Sequence, residues 1–189
     1  MGRKSKTKGS GFERQTAKVF EAALGIKFVR TPLSGGWGRY QTKGDLVPAP
    51  GSYFPYFIEC KKGEGWEMWS TLFNNAGPLL NTWWPKAKQQ AKEEDKNPVV
   101  VFAQNQKNAL ALFPLYCVHA SALSKEAEGW FRWTDADGVV VIMTTLDTFL
   151  RILKRGFIPE AKSVLIADIL KDVVSAKDLL NQERPQRTK

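Results

Sequence analysis

Apolar positions change period several times along the chain. From about Gly11 to Leu24 they recur at helical spacing, with Phe12, Val19, Phe20, Ala23 and Leu24 on one stripe, Ser10 as N-cap and Gly25 as C-cap. Ile26 to Arg30 then reads as a short strand. Asp45 to Val47 and Tyr53 to Lys61 read as a hairpin-like pair, whose connection Pro48, Pro50 and Pro55 make irregular. Helical spacing returns in Trp66, Trp69, Leu72 and Phe73 and breaks at Gly77-Pro78. Trp83 to Glu94 follows as a polar helix ended by Asn97-Pro98, and the unbroken apolar run from Val99 to Ala103 suits a buried strand. Leu110 to Val118 supplies another strand, and Trp130 to Trp133 with Val139 to Met143 forms a hairpin about Asp137-Gly138. Leu146 to Lys154 reads as a helix. Ala161 to Leu180 is amphipathic, suited to docking on the core or on another subunit.

Composition narrows the chemistry. The 189 residues are 43% hydrophobic and 25% charged, which is the balance of a folded domain with a substantial core. A net charge of +9 calls for an anionic partner, and nucleic acid leads because no basic amphipathic helix of strong membrane character stands out. No apolar run reaches transmembrane length and no signal peptide follows the basic start, so a cytoplasmic protein without a membrane partner is expected. Cys60 and Cys117 are too few and too far apart for a zinc knuckle or a disulfide framework. His119 is the single histidine, which excludes histidine-metal nucleases, paired-histidine hydrolases and multi-histidine zinc sites. Hydrolytic chemistry here has to run on carboxylates, lysine, hydroxyls and metal.

One pattern meets that requirement. Gly44-Asp45-Leu46 is followed, fourteen residues after the aspartate, by Ile58-Glu59-Cys60-Lys61. The strand period of two puts Glu59 and Lys61 on one face and Cys60 on the other. With a turn centred near Ser52, Asp45 falls opposite Glu59, so the two carboxylates share a face. Such a pair can hold a hard divalent cation, while the lysine orients water or offsets charge on a phosphate. Upstream, Glu13 admits two readings. Ser10-Gly11-Phe12-Glu13 matches a capping box, yet the same carboxylate borders the buried stripe, where it needs a cation or a metal. The loop Ser34-Gly35-Gly36-Trp37-Gly38 lets backbone approach a ligand, Arg30, Arg39 and Lys43 flank it as phosphate grips, and Trp37 and Tyr40 are candidates for base stacking.

This order of features resembles the PD-(D/E)xK nuclease superfamily, and within it the archaeal and phage Holliday-junction resolvases. The likeness spans about Gly9 to Gln104 and rests on Gly11-Phe12-Glu13, Val29-Arg30-Thr31-Pro32-Leu33-Ser34-Gly35, Gly44-Asp45-Leu46 and Ile58-Glu59-Cys60-Lys61. It implies an α/β, restriction-endonuclease-like core, a central mixed β-sheet flanked by helices, with a C-terminal helical extension. The corresponding domains are a flexible basic arm over 1–9, a nuclease domain over 10–155 and an amphipathic helix and tail over 156–189. By the same resemblance Glu13, Asp45, Glu59 and the Cys60 backbone carbonyl bind Mg2+, with Mn2+ as a substitute. Lys61 then assists the attacking water, and Ser34 sits in a loop contacting the scissile strand. Arg30, Gly35, Trp37, Arg39, Lys43, Lys62 and Lys86 are the candidate DNA contacts. Gly44 stands where the superfamily's proline would be. Lys86 occupies the place of a frequent active-site glutamine, with Gln89 and Gln90 one turn on. The implied activity is junction resolution in DNA recombination by a homodimer acting on branched DNA. The alternatives are a restriction-type, flap or single-strand nuclease of the same fold, or a non-catalytic DNA-binding protein.

Overall fold

Helix α1 (Gly2–Leu24) begins eight residues before the expected cap. The computed structural model describes residues 2–31, 43–63, 77–104, 107–118 and 129–156. Lysine and arginine are good helix formers and carry the helix through Gly9 and Gly11, so the backbone of residues 2–9 is helical and Ser10 is no N-cap. The helix ends as expected, at Gly25, whose φ of +70° and N–H bond to the Glu21 carbonyl close the last turn. Phe12, Thr16, Phe20 and Ala17 mark its buried arc. Val19 was expected inside, but it falls just beyond the Phe12 edge of that arc and is exposed.

Among the described residues seven strands follow: β1 (Phe28–Arg30), β2 (Leu46–Pro48), β3 (Tyr56–Lys62), β4 (Asn97–Ala103), β5 (Leu110–Pro114), β6 (Phe131–Thr134) and β7 (Val140–Thr145). They form one sheet in the order β1-β2-β3-β4-β5-β7-β6. Only β3 and β4 pair in parallel; the other neighbours are antiparallel. Asn97 and Pro98 open β4 instead of ending the preceding helix. Pairing with β5 starts only at Val100, so the proline's missing N–H removes no rung on that side. Leu115–Cys117 turns into a short 3-10 helix where continued strand was expected.

The crossover from β3 to β4 contains a π-helical turn (Leu79–Trp83) running into helix α2 (Trp84–Glu93). Helix α3 (Leu146–Gly156) closes the described chain. Alternation along β3 separates two cores. Phe57 joins Leu79, Trp84, Ala87, Ala91, Val100 and Phe102 under α2. Tyr56 belongs to the opposite, aromatic layer, where Phe20, Phe28, Phe54, Phe113 and Phe149 meet edge-on or tilted beneath α1 and α3. The mixed sheet between helices is the expected architecture. Residues 64–76, with the helix read through Trp66 and Trp69, and the C-terminal extension lie outside the described residues. No described helix is long and apolar enough to cross a membrane.

Candidate active site

Pairing of β2 with β3 sets Leu46 against Ile58, a register that extends to Asp45 against Glu59. The Asp45 N–H donates to the Ile58 carbonyl at 2.8 Å, but the next rung is different. There the Asp45 carboxylate itself accepts the Cys60 N–H at 2.7 Å, and β2 pairing stops. Gly44 makes this ending possible. A Cβ there would stand 3.3 Å from the Ile58 carbonyl oxygen and 3.4 Å from the Phe57 ring, tighter than most real contacts. The neighbouring strand reinforces the position, because Thr31 donates from its hydroxyl to the Gly44 carbonyl at 2.6 Å and from its backbone to Asp45 at 2.9 Å.

Glu59 is 4% exposed and carries an ion pair from Lys61, two residues along the same face. Burial is the first cause that raises the Asp45 carboxyl, and the Glu59 charge is the second; together they lift it to about 6 against the Cys60 N–H and Lys61, which lower it. Glu13 adds a smaller upward push from the α1 side. Burial alone would lower the Lys61 ammonium, yet its bond to Glu59 and the charges of Glu59 and Asp45 outweigh that and hold it above its ordinary value. Lys61 is therefore an ammonium at neutral pH.

Glu13 is not engaged in a capping box, since the helix start lies elsewhere. Its carboxylate accepts from Arg30 Nε, and both side chains are largely shielded from water. Three carboxylates, Glu13, Asp45 and Glu59, thus face two cations, Arg30 and Lys61, which leaves one negative charge when all are ionised. Among the described residues no group of three or more acidic, cysteine or histidine side chains closes into a ready-made metal cage. The Asp45–Glu59 pair is instead an all-oxygen, under-compensated site, which fits a hard divalent cation, with the Cys60 carbonyl and Glu13 as further oxygen donors.

The remaining candidates separate. Lys43 is tied to α2, its ammonium to Glu93 and its N–H to Glu94. Lys62 points to the α1 side, 5.7 Å from the Phe12 ring centroid. Lys86 is exposed on α2, and Gln89 bonds to Glu93 at 3.4 Å. Gln90 differs, because its Oε1 is buried without a hydrogen-bond partner among the described residues. Ser34, Gly35, Trp37, Arg39, Tyr40 and His119 lie outside the described residues.

Sequence reading missed one other cluster. Asp135, seen only as part of a turn, has a buried carboxylate that accepts from Trp84 Nε1 at 2.8 Å and from Lys88, and it caps the turn through the Asp137 and Val139 N–H groups. The partner helix lies some fifty residues away in sequence, and only the wish of a buried indole N–H for an acceptor hinted at it.

Residues 4–159 match the family model described as "Phage putative PDDEXK endonuclease". Protein D14 of Escherichia phage T5 is 28% identical over 104 residues, covering 53% of this chain, and the chain spans 65% of that relative's length. No solved structure matches the chain. The matched span takes in the seven described strands and the Asp45–Glu59 pair, and the chain belongs to the phage PDDEXK endonuclease family.

Proposed function

We propose that the protein is a magnesium-dependent DNA endonuclease that resolves four-way junctions. The observation that carries the chemistry is Asp45 opposite Glu59, one shielded carboxylate crowding another, with Lys61 bonded to Glu59. Asp45, Glu59, Glu13 and the Cys60 carbonyl would hold the cation. When bound, it supplies a water more acidic than bulk and neutralises charge on the phosphate. The Cys60 N–H fixes Asp45 in orientation, so that carboxylate needs little reorganisation on binding. Lys61, on the face of Glu59, orients the attacking water and offsets negative charge as the phosphodiester reacts. Of the three α2 candidates we assign Gln90 to the site, a reading supported by its buried amide oxygen, which has no partner among the described residues. Arg30, Gly35, Trp37, Arg39, Lys43, Lys62 and Lys86 grip the DNA, and Ser34 lies in the loop at the scissile strand.

Junction selectivity rests on the resemblance to archaeal and phage resolvases. Cutting a four-way junction symmetrically needs two active sites, hence a two-fold homodimer. The test compares cleavage of a four-way junction, a flap and a linear duplex with Mg2+, with Mn2+ and with chelator. Junction cleavage at least tenfold faster than the others, and none in chelator, is expected. Equal rates on all three would reassign the substrate to the restriction-type or flap class, and metal-independent cleavage would overturn the site.

Gly44→Ala probes the strand ending. The added methyl must displace the Ile58 carbonyl or the Phe57 ring, and Asp45 is the next residue. A stability loss of about 1 kcal/mol with a larger proportional fall in cleavage rate is expected from melting curves and initial rates. Unchanged cleavage would show that Asp45 tolerates the shift.

A further inference from the structure

We propose that Arg30 is a positioning residue that passes between Glu13 and a DNA phosphate, so that substrate and cation bind with positive coupling. This rests on the reading of Glu13, Asp45 and Glu59 as the cation site and goes beyond it.

Four observations carry the inference. Arg30 is bonded to Glu13 through Nε, and among the described residues its two Nη groups have no partner. A guanidinium offers five donors in a fixed fork, so the edge that Glu13 does not use can take phosphate oxygens. Its strand is anchored right beside it, since Thr31 is bonded twice to the Gly44-Asp45 segment. Arg30 therefore stands one strand over from Asp45, opposite Leu46, on a braced backbone from which its side chain can turn. Finally, Glu13 acts electrostatically on both Asp45 and Cys60, which puts its carboxylate within reach of the same field that a cation would enter.

Competition follows. While Arg30 neutralises Glu13, that carboxylate is a weaker ligand for a cation. A phosphate that draws Arg30 outward returns the charge of Glu13 to the site, and cation affinity rises. Linkage makes the effect reciprocal, so the cation also tightens DNA binding by more than simple screening would allow. The free protein in this scheme holds its cation loosely and takes it up firmly only with substrate present.

The experiment is calorimetric titration of Ca2+, a hard cation of the same oxygen preference, into the full chain with and without a short DNA duplex, the blank for duplex alone being subtracted. In the wild type the duplex is expected to tighten Ca2+ binding about tenfold, a typical coupling. Arg30→Gln is expected to bind Ca2+ more tightly than wild type without DNA, and to lose the enhancement by DNA. Glu13→Gln frees Arg30 by the opposite route, and its cation-free affinity for the duplex is expected to rise about threefold by the same coupling logic. Thermal melts of both variants verify the fold, and either variant alone suffices for the test. Ca2+ binding that Asp45→Asn abolishes, together with an undiminished DNA enhancement in Arg30→Gln or an unchanged duplex affinity in Glu13→Gln, would overturn the exchange and leave the cation site standing. No Ca2+ binding in the wild type, or binding that survives Asp45→Asn, would bring down the site and the exchange together.

Discussion

Asp45→Asn is expected to cut DNA cleavage on the order of 10³-fold, several kcal/mol of transition-state stabilisation, while DNA affinity in the absence of cation stays within about twofold, because lysines and arginines supply that affinity. Glu59→Gln should do the same to cleavage. Full cleavage by either variant would sink the assignment. The two variants are expected to diverge in stability, and the divergence reports on the site's electrostatics. Asp45 has a folded-state value of about 6 against an ordinary 3.8. A raised value means that the stability contribution is fully present below 3.8 and is lost as pH rises through 6. At neutral pH the cation-free wild type thus bears the cost of ionising this carboxyl, about 1–3 kcal/mol for a shift of this size. Asparagine retains an acceptor for the Cys60 N–H and removes the charge, so Asp45→Asn should melt higher than wild type at pH 7 and no higher at pH 4. Glu59→Gln should melt lower, since it strips Lys61 of its carboxylate. Equal melting of wild type and Asp45→Asn at pH 7 would mean that the carboxylates are not crowded.

A second large effect belongs to a residue far from the chemistry. Asp135→Ala is expected to destabilise the protein by about 3 kcal/mol, lowering the melting temperature by roughly 6–12 °C for a chain of this length. The Trp84 indole N–H is buried and would lose its acceptor, and Lys88 would lose its shielded carboxylate. The Asp137 and Val139 N–H groups would lose their turn cap. Asp137 also pairs with Lys88 but stands largely in solvent, so Asp137→Ala should cost under about 1 kcal/mol. Urea melts of the two variants decide between them, and equal losses would show that burial does not set the value of these pairs. Burial pushes the Asp135 carboxyl up, but bonds from Lys88, Trp84 and Val139 outweigh it and hold the value below the ordinary range. Its contribution is therefore present above that range and disappears as pH falls through the lowered value, an acid-side loss that Asp135→Ala should lack.

How far the sequence carried these conclusions depended on range. The Glu-x-Lys alternation needs only the strand period, and a turn centred near Ser52 sufficed to set Asp45 opposite Glu59. The Asp-Gly hairpin was equally local, and Gly138 has the expected positive φ. The start of α1 was misjudged because a capping motif at Ser10 looked decisive, while four basic residues upstream favour helix individually and weakly. Glu13 shows the cost of that error. The capping box does not form, and the carboxylate instead pairs with Arg30, seventeen residues on, a partner that no local rule selects. The Asp135 cluster is illegible for the same reason, since α2 and the hairpin meet only once the sheet exists.

One pairing in the sheet sets when the candidate site can assemble during synthesis. β3 and β4 run parallel, so their carboxyl ends open on one rim, which is where open α/β sheets place their ligands, and Glu59 to Lys62 occupy that end of β3. A parallel neighbour arrives only after a long crossover, and its contacts are slow to form. Every residue proposed to hold cation and water is already encoded by position 61, yet β3 lacks its inner edge until Ala103 is in place. A ribosome that has released only that much has made every proposed ligand before the sheet that would hold them in register exists.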